Sequence, residues 1–180
     1  GPPGIDYPVF ALWITVIAIL AFGINARDES MGLVAPRGRD LKIAFGWLLA
    51  FGAVAAPVGL AVGFLRYNPQ LDFPAGLLLS VGLVLTVALP EELFFRGVLD
   101  RRLQESFPKF PWLSLCVSSL AFGLMHWNNA HGVSAKVAYV GLASLAGVVY
   151  GLAYRRSGGL WAAVFLHALV DLGWGVLLKR

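Results

Sequence analysis

The chain has 180 residues, 58% of them hydrophobic and 13% charged, with a net charge of +4. A soluble domain carries about 25% charged residues, so this composition, with a mean hydropathy of +0.75, excludes an ordinary water-soluble globule. The basic balance does not point to nucleic acid, because Lys and Arg sit at the ends of apolar blocks, the pattern that orients membrane proteins.

A spanning helix needs about 20 apolar residues. Six blocks meet or approach that length, at about 8–24, 41–65, 73–90, 110–127, 135–154 and 160–178. No secretory signal with a cleavage site is apparent, and the first block is expected to be retained. Alternation at period two is missing, which argues against a barrel. The chain is expected to be all-α: a polytopic transmembrane helical bundle of about six helices, one domain over 1–180. The third block does not stop at Pro90. Leu93, Phe94, Val98, Leu99 and Leu103 recur at helical spacing among charges, so one long bent helix or two abutting helices are predicted, with Pro90 at a kink or a first turn. The single cysteine, Cys116, permits no internal disulfide and is expected to be a small buried hydrophobe.

Loops one, three and five hold Arg27, Arg37, Arg39, Lys42, Arg101, Arg102, Lys109, Arg155 and Arg156. The opposite side holds Arg66, Lys136, Lys179 and Arg180. The excess predicts that the odd loops are cytoplasmic and both termini outside.

Three polar clusters interrupt the apolar blocks: Glu91-Glu92-Leu93-Phe94-Phe95-Arg96, Phe122-Gly123-Leu124-Met125-His126 and His167-Ala168-Leu169-Val170-Asp171. Ionisable groups at membrane depth are costly and persist where they face a protein interior and work. On a helix Glu92 and Arg96 are four apart and face each other. Arg96 keeps its charge and holds Glu92 ionised. Glu91 is turned about 100° away, free to face a cavity and act as a general base for water. The bland alternative, a Glu–Arg pair at a helix end, accounts for Glu92 and Arg96 but not for Glu91. Phe122 and His126 share a face. His131, with Asn128 and Asn129, reads as part of a polar loop. His167 and Asp171 share a face four apart, suiting a carboxylate that orients an imidazole, two metal ligands on one helix, or a polar contact between helices. With the cytoplasmic boundary at Arg102, Pro111 and Arg156, a rise of about 1.5 Å per residue puts Glu91, His126 and His167 roughly 16, 22 and 16 Å deep. The clusters can therefore meet on a common level.

Glu-Glu-x-x-x-Arg, then Phe-x-x-x-His, then His-x-x-x-Asp, each in an apolar segment, resembles the CAAX protease and bacteriocin-processing enzyme family, which includes the type II CAAX prenyl endopeptidases. The motifs lie in order within a core at 83–179, and the first two blocks carry none. The resemblance implies an intramembrane endopeptidase with a catalytic cavity. In it Glu91 activates the attacking water, His126 helps to bind it, and His167 and Asp171 position water or stabilise the oxyanion. Glu92, Arg96 and Phe122 support these four. Two chemistries are open, a glutamic protease and a metalloprotease. Because Glu91 cannot easily be both ligand and base, we favour water activation without an obligate metal. If zinc is held, Glu91, His126 and His167 are the donors, with Asp171 as fourth ligand or orienter.

The motif ends in Asp171 where the eukaryotic prenyl endopeptidases have asparagine. A charge there would repel an oxyanion unless it is protonated or paired with His167. A bacterial inner-membrane enzyme acting on membrane-anchored peptides or proteins, at C-terminal anchors or sorting signals, fits better than a prenylated substrate. The expected partners are that substrate and the lipid bilayer, not nucleic acid. The competing readings are an inactive relative serving as a membrane scaffold or immunity protein, and a proton-coupled transporter. Against the transporter, no paired half-repeats or matching interrupted helices are seen.

Overall fold

A computed structural model describes residue 32 and residues 34–67 and 82–179. The first apolar block, at 8–24, and the start of the third lie outside the described residues. Those described form five helices and one short strand pair.

Helix α1 spans Gly38–Ala61. Asp40 in its first turn accepts a 2.8 Å hydrogen bond from the Arg37 backbone N–H, where a carboxylate also complements the helix dipole. Its end turns at Gly63, whose φ of +69° suits a residue without a Cβ. Strand β1, Arg66–Tyr67, then pairs antiparallel with β2, Leu178–Lys179.

Helix α2 runs continuously from 84 to 106 but changes winding. Val84–Ala88 is a π-helix, Leu89–Glu92 is α, Leu93–Asp100 is π again, and Arg101–Ser106 is α. Pro90 explains the first wide turn: it has no N–H to donate and its ring crowds the carbonyl four residues back. The second wide stretch alters the expected face. Leu93 is buried, but the other fully buried positions are Phe95, Arg96, Gly97 and Asp100, while Phe94, Val98, Leu99 and Leu103 are only half-buried. A stripe read at 3.6 residues per turn slips once hydrogen bonds span five residues.

Helix α3, Pro111–Met125, starts on a proline at its first position, where the missing N–H costs nothing. A one-turn 3₁₀ segment, His126–Asn129, follows. Helix α4, Val133–Ser157, ends at Gly158 in the left-handed conformation, φ +68°. Helix α5 is Trp161–Leu177. Among the described residues, α1 and α4 are long and apolar enough to cross a membrane, and α5 is a shorter apolar helix.

Helix α4 packs against α3, α1 and α5. Its contact with α3 is close because small residues face each other. A Cβ on Gly147 would lie 3.0 Å from Ser119 Cα, and one on Gly123 would lie 2.6 Å from the Val140 carbonyl oxygen. Such small-residue seams let helices approach where lipid supplies no hydrophobic drive. Cys116 departs from the expectation: it is exposed on α3, because the buried seam of that helix runs through Ser114, Leu115, Ser118, Ser119, Phe122 and Gly123.

The ends of the bundle differ in charge. At one, Arg37 donates to the Ser157 carbonyl at 2.8 Å, Arg39 to the Arg156 carbonyl at 2.6 Å and Arg155 to the Pro111 carbonyl at 2.8 Å. Arg155 also pairs with fully buried Asp100 at 2.8 Å. The described parts of loops one, three and five, and their cations, thus gather at a single end. The strand pair carrying Arg66 lies at the other.

Candidate active site

The three motifs come from α2, α3 with its 3₁₀ turn, and α5, and they converge on one cavity of about 670 Å³. Glu91, Phe122, His126, His167 and Asp171 all line it. Glu92 and Arg96 stand behind that lining, fully buried. His131 is exposed and does not line the cavity.

The α turn that holds Leu89–Glu92 divides the two glutamates. Glu92 points back into protein and its Oε1 accepts two bonds: from Arg96 Nη1 at 3.0 Å and from His167 Nδ1 at 2.8 Å. Arg96 reaches onward to the Gly147 carbonyl oxygen at 2.7 Å. That contact is possible because Gly147 lets α4 sit close. The guanidinium is also ringed by aromatic faces, its carbon 5.0 Å from the Phe122 centroid and 5.4 Å from that of Tyr150, where cation–π attraction favours the charged group. A buried ion pair is maintained only when its members find such partners.

Glu92 Oε2 is buried without a hydrogen-bond partner, and Glu91 differs from it in lining the cavity. The Glu91 side chain is buried, it faces the cavity, and its Oε2 is a buried polar atom without a hydrogen-bond partner. The His167 ring lies along that edge, its Nε2 3.9 Å from Glu91 Oε2. A buried oxygen in this state has capacity to accept from water or substrate.

His167 is held on three sides. Nδ1 donates to Glu92, the Tyr150 ring stacks on the imidazole at 4.7 Å, and Phe122 presents an edge at 5.6 Å. Nε2 sits 3.5 Å from Asp171 Oδ2. The expected His167–Asp171 proximity is therefore present, but the tighter partner of the ring is Glu92. Spacing within one helix finds Asp171; Glu92 is on another helix and escapes that search.

His126 begins the 3₁₀ turn. Its Nδ1 is 2.8 Å from the Phe122 carbonyl oxygen, which places the proton on Nδ1 and sets the tautomer. The ring stacks on Tyr139 at 5.5 Å. Tyr139 and Tyr150 also line the cavity, and the sequence reading missed both. A signal existed: they are eleven residues apart on an apolar helix, three full turns, so their polar tips share a face.

Among the described residues no three His, Cys, Asp or Glu side chains form a group that could hold a metal ion. The arrangement joins a cavity-facing carboxylate, two oriented imidazoles and a partly exposed aspartate at the end of an apolar pocket, the components of water activation beside a polarised carbonyl.

Residues 73–173 match the family described as type II CAAX prenyl endopeptidase Rce1-like. No curated protein and no solved structure matches the chain.

Proposed function

The chain belongs to the type II CAAX prenyl endopeptidase Rce1-like family, a protease family, and from that premise we propose an intramembrane endopeptidase of the glutamic type. Glu91 takes a proton from a water molecule, whose oxygen attacks the scissile carbonyl carbon. The carbonyl electron pair moves to oxygen, and the resulting oxyanion accepts hydrogen bonds from the His167–Asp171 pair, with His126 holding the water. Collapse breaks the C–N bond, and the proton on Glu91 passes to the leaving amine. Glu92 and Arg96 hold the His167 ring through this cycle. The observation that carries the reading is the unpartnered Glu91 Oε2, buried yet turned into the cavity shared with both histidines and Asp171.

The substrate in this reading is a membrane-anchored peptide or protein, cut at a C-terminal anchor or sorting signal in the bacterial inner membrane. A helical segment must unwind there, because its carbonyls are already hydrogen-bonded. In this reading the chain is a single transmembrane domain of about six helices, with its catalytic core at 83–179. The basic end is cytoplasmic and the termini are outside. No metal is obligatory.

The test compares protein termini in membranes of cells carrying the native chain or Glu91→Gln. Cleaved termini that vanish in the variant, with expression held, support the protease. Unchanged termini from a folded variant would sink it and favour the scaffold reading. Ion-coupled uptake lost in the same variant would favour the transporter.

A further inference from the structure

A second groove, of about 480 Å³, lies away from the catalytic cavity at the basic end of the bundle. Its mouth carries three exposed cations, Arg39 and Lys42 from the first turns of α1 and Arg156 from the last turn of α4. Its floor is Gly46, Trp47 and Ala50. We propose that this groove binds an anionic phospholipid, with the headgroup phosphate between the three cations and an acyl chain along α1.

Charge complementarity comes first. Among the described residues none of the three cations pairs with a carboxylate. Asp40, the acidic residue nearest in sequence, is buried and engaged by Arg37. Arg39 Nη2 is committed to the Arg156 carbonyl at 2.6 Å, a bond that draws the two helices together and gathers the like charges. An anion relieves their mutual repulsion.

The floor identifies the anion as a lipid. Lys42, Gly46 and Ala50 are four apart and stack on one face, so the groove leads from the charged mouth down the helix for about 12 Å. The groove is open at Gly46, where a Cβ would have nothing within 4 Å. Trp47 stands about one and a half turns beyond Lys42 along α1, and indole rings settle at membrane interfaces. Neighbouring Leu41, Phe45 and Leu49 are each more than half exposed, so this side of α1 offers an apolar surface to an acyl chain. Basic pockets between spanning helices bind acidic headgroups; a free phosphate would leave the apolar floor unused.

The test is native mass spectrometry of the full chain in mild detergent, offered equal amounts of phosphatidylglycerol and phosphatidylcholine. We expect retention of phosphatidylglycerol by about tenfold over phosphatidylcholine, abolished in Lys42→Gln/Arg156→Gln and in Gly46→Phe, which fills the floor without changing charge. Arg66→Gln/Lys109→Gln removes as much charge elsewhere and should leave the preference intact. Equal retention of both lipids overturns the proposal. So does equal loss in the control variant, which means diffuse surface attraction, or displacement of the lipid by inorganic phosphate, which means a bare-anion site. Proteolysis is not the readout, so failure here leaves the enzyme reading untouched.

Discussion

His167 Nδ1 donates a 2.8 Å hydrogen bond to Glu92 Oε1, an oxygen that also takes the Arg96 guanidinium at 3.0 Å. One buried carboxylate thus couples the ring of α5 to the cation of α2. Replacing Glu92 with Gln leaves Arg96 buried without its counter-charge, and removing one partner of a buried pair costs about 3–5 kcal/mol. We expect a marked fall in melting temperature in detergent. Glu92→Leu/Arg96→Met, which removes both charges, should recover part of that stability yet stay inactive because His167 has lost its anchor. Full activity in the double variant would show that Glu92 does not position the ring.

Glu91 should behave in the reverse manner. Its Oε2 has no hydrogen-bond partner to lose, so Glu91→Gln should leave thermal stability unchanged or slightly raised. Processing should drop by roughly 10²–10⁴-fold, the range associated with a general base. Stability and activity measured on the same preparation separate the neighbouring glutamates, one structural and one chemical.

Asp171 is one-third exposed and 3.5 Å from His167 Nε2. An asparagine there keeps the size and can still donate to an oxyanion, so Asp171→Asn should retain processing within about tenfold. Asp171→Leu, which offers no hydrogen bond, should fall by about 10²-fold, the scale of one lost oxyanion donor. Equal kinetics for the two variants would remove Asp171 from the reaction.

The glycines divide by packing. Gly147 and Gly151 lie against α3, whereas Gly141, Gly173 and Gly175 have nothing within 4 Å of a Cβ. Gly123→Ala must push against the Val140 carbonyl and should cost about 1–3 kcal/mol. Gly173→Ala should be neutral or stabilising by up to about 1 kcal/mol. Thermal shift of the two variants side by side checks the contrast.

At the basic end, Arg155→Ala takes the counter-charge from the fully buried Asp100 and leaves it the Gln104 amide, which should destabilise by about 3 kcal/mol. The exposed carboxylate of Glu105, held below the usual range by its hydrogen bond from Arg101, should matter little. Glu105→Gln is expected to fall within about 0.5 kcal/mol of the parent. Matching losses in the two variants would contradict the burial argument.

Much of the arrangement is legible in the linear chain, because it follows from local rules. Apolar block length indicates a membrane protein, and four-residue spacing pairs Glu92 with Arg96. A 100° step turns Glu91 out of that pair, and rise per residue brings the three motifs to one depth. The basic loops also sort to one end as the Lys and Arg count suggests. What tertiary structure alone decided lies between helices. Helical periodicity says which residues share a face, not which face of another helix they meet. Glu92 finds His167 across 75 positions, and Gly147 exposes its carbonyl to Arg96 only because α3 and α4 pack on small residues. The π winding after Pro90 moved the buried face off the 3.6-residue stripe, and Cys116 turned outward because serine and glycine already filled the seam. These outcomes depend on close packing and hydrogen-bond completion in a water-poor interior, where an unpaired polar group is costly enough to select one assembly among those the spacing allows.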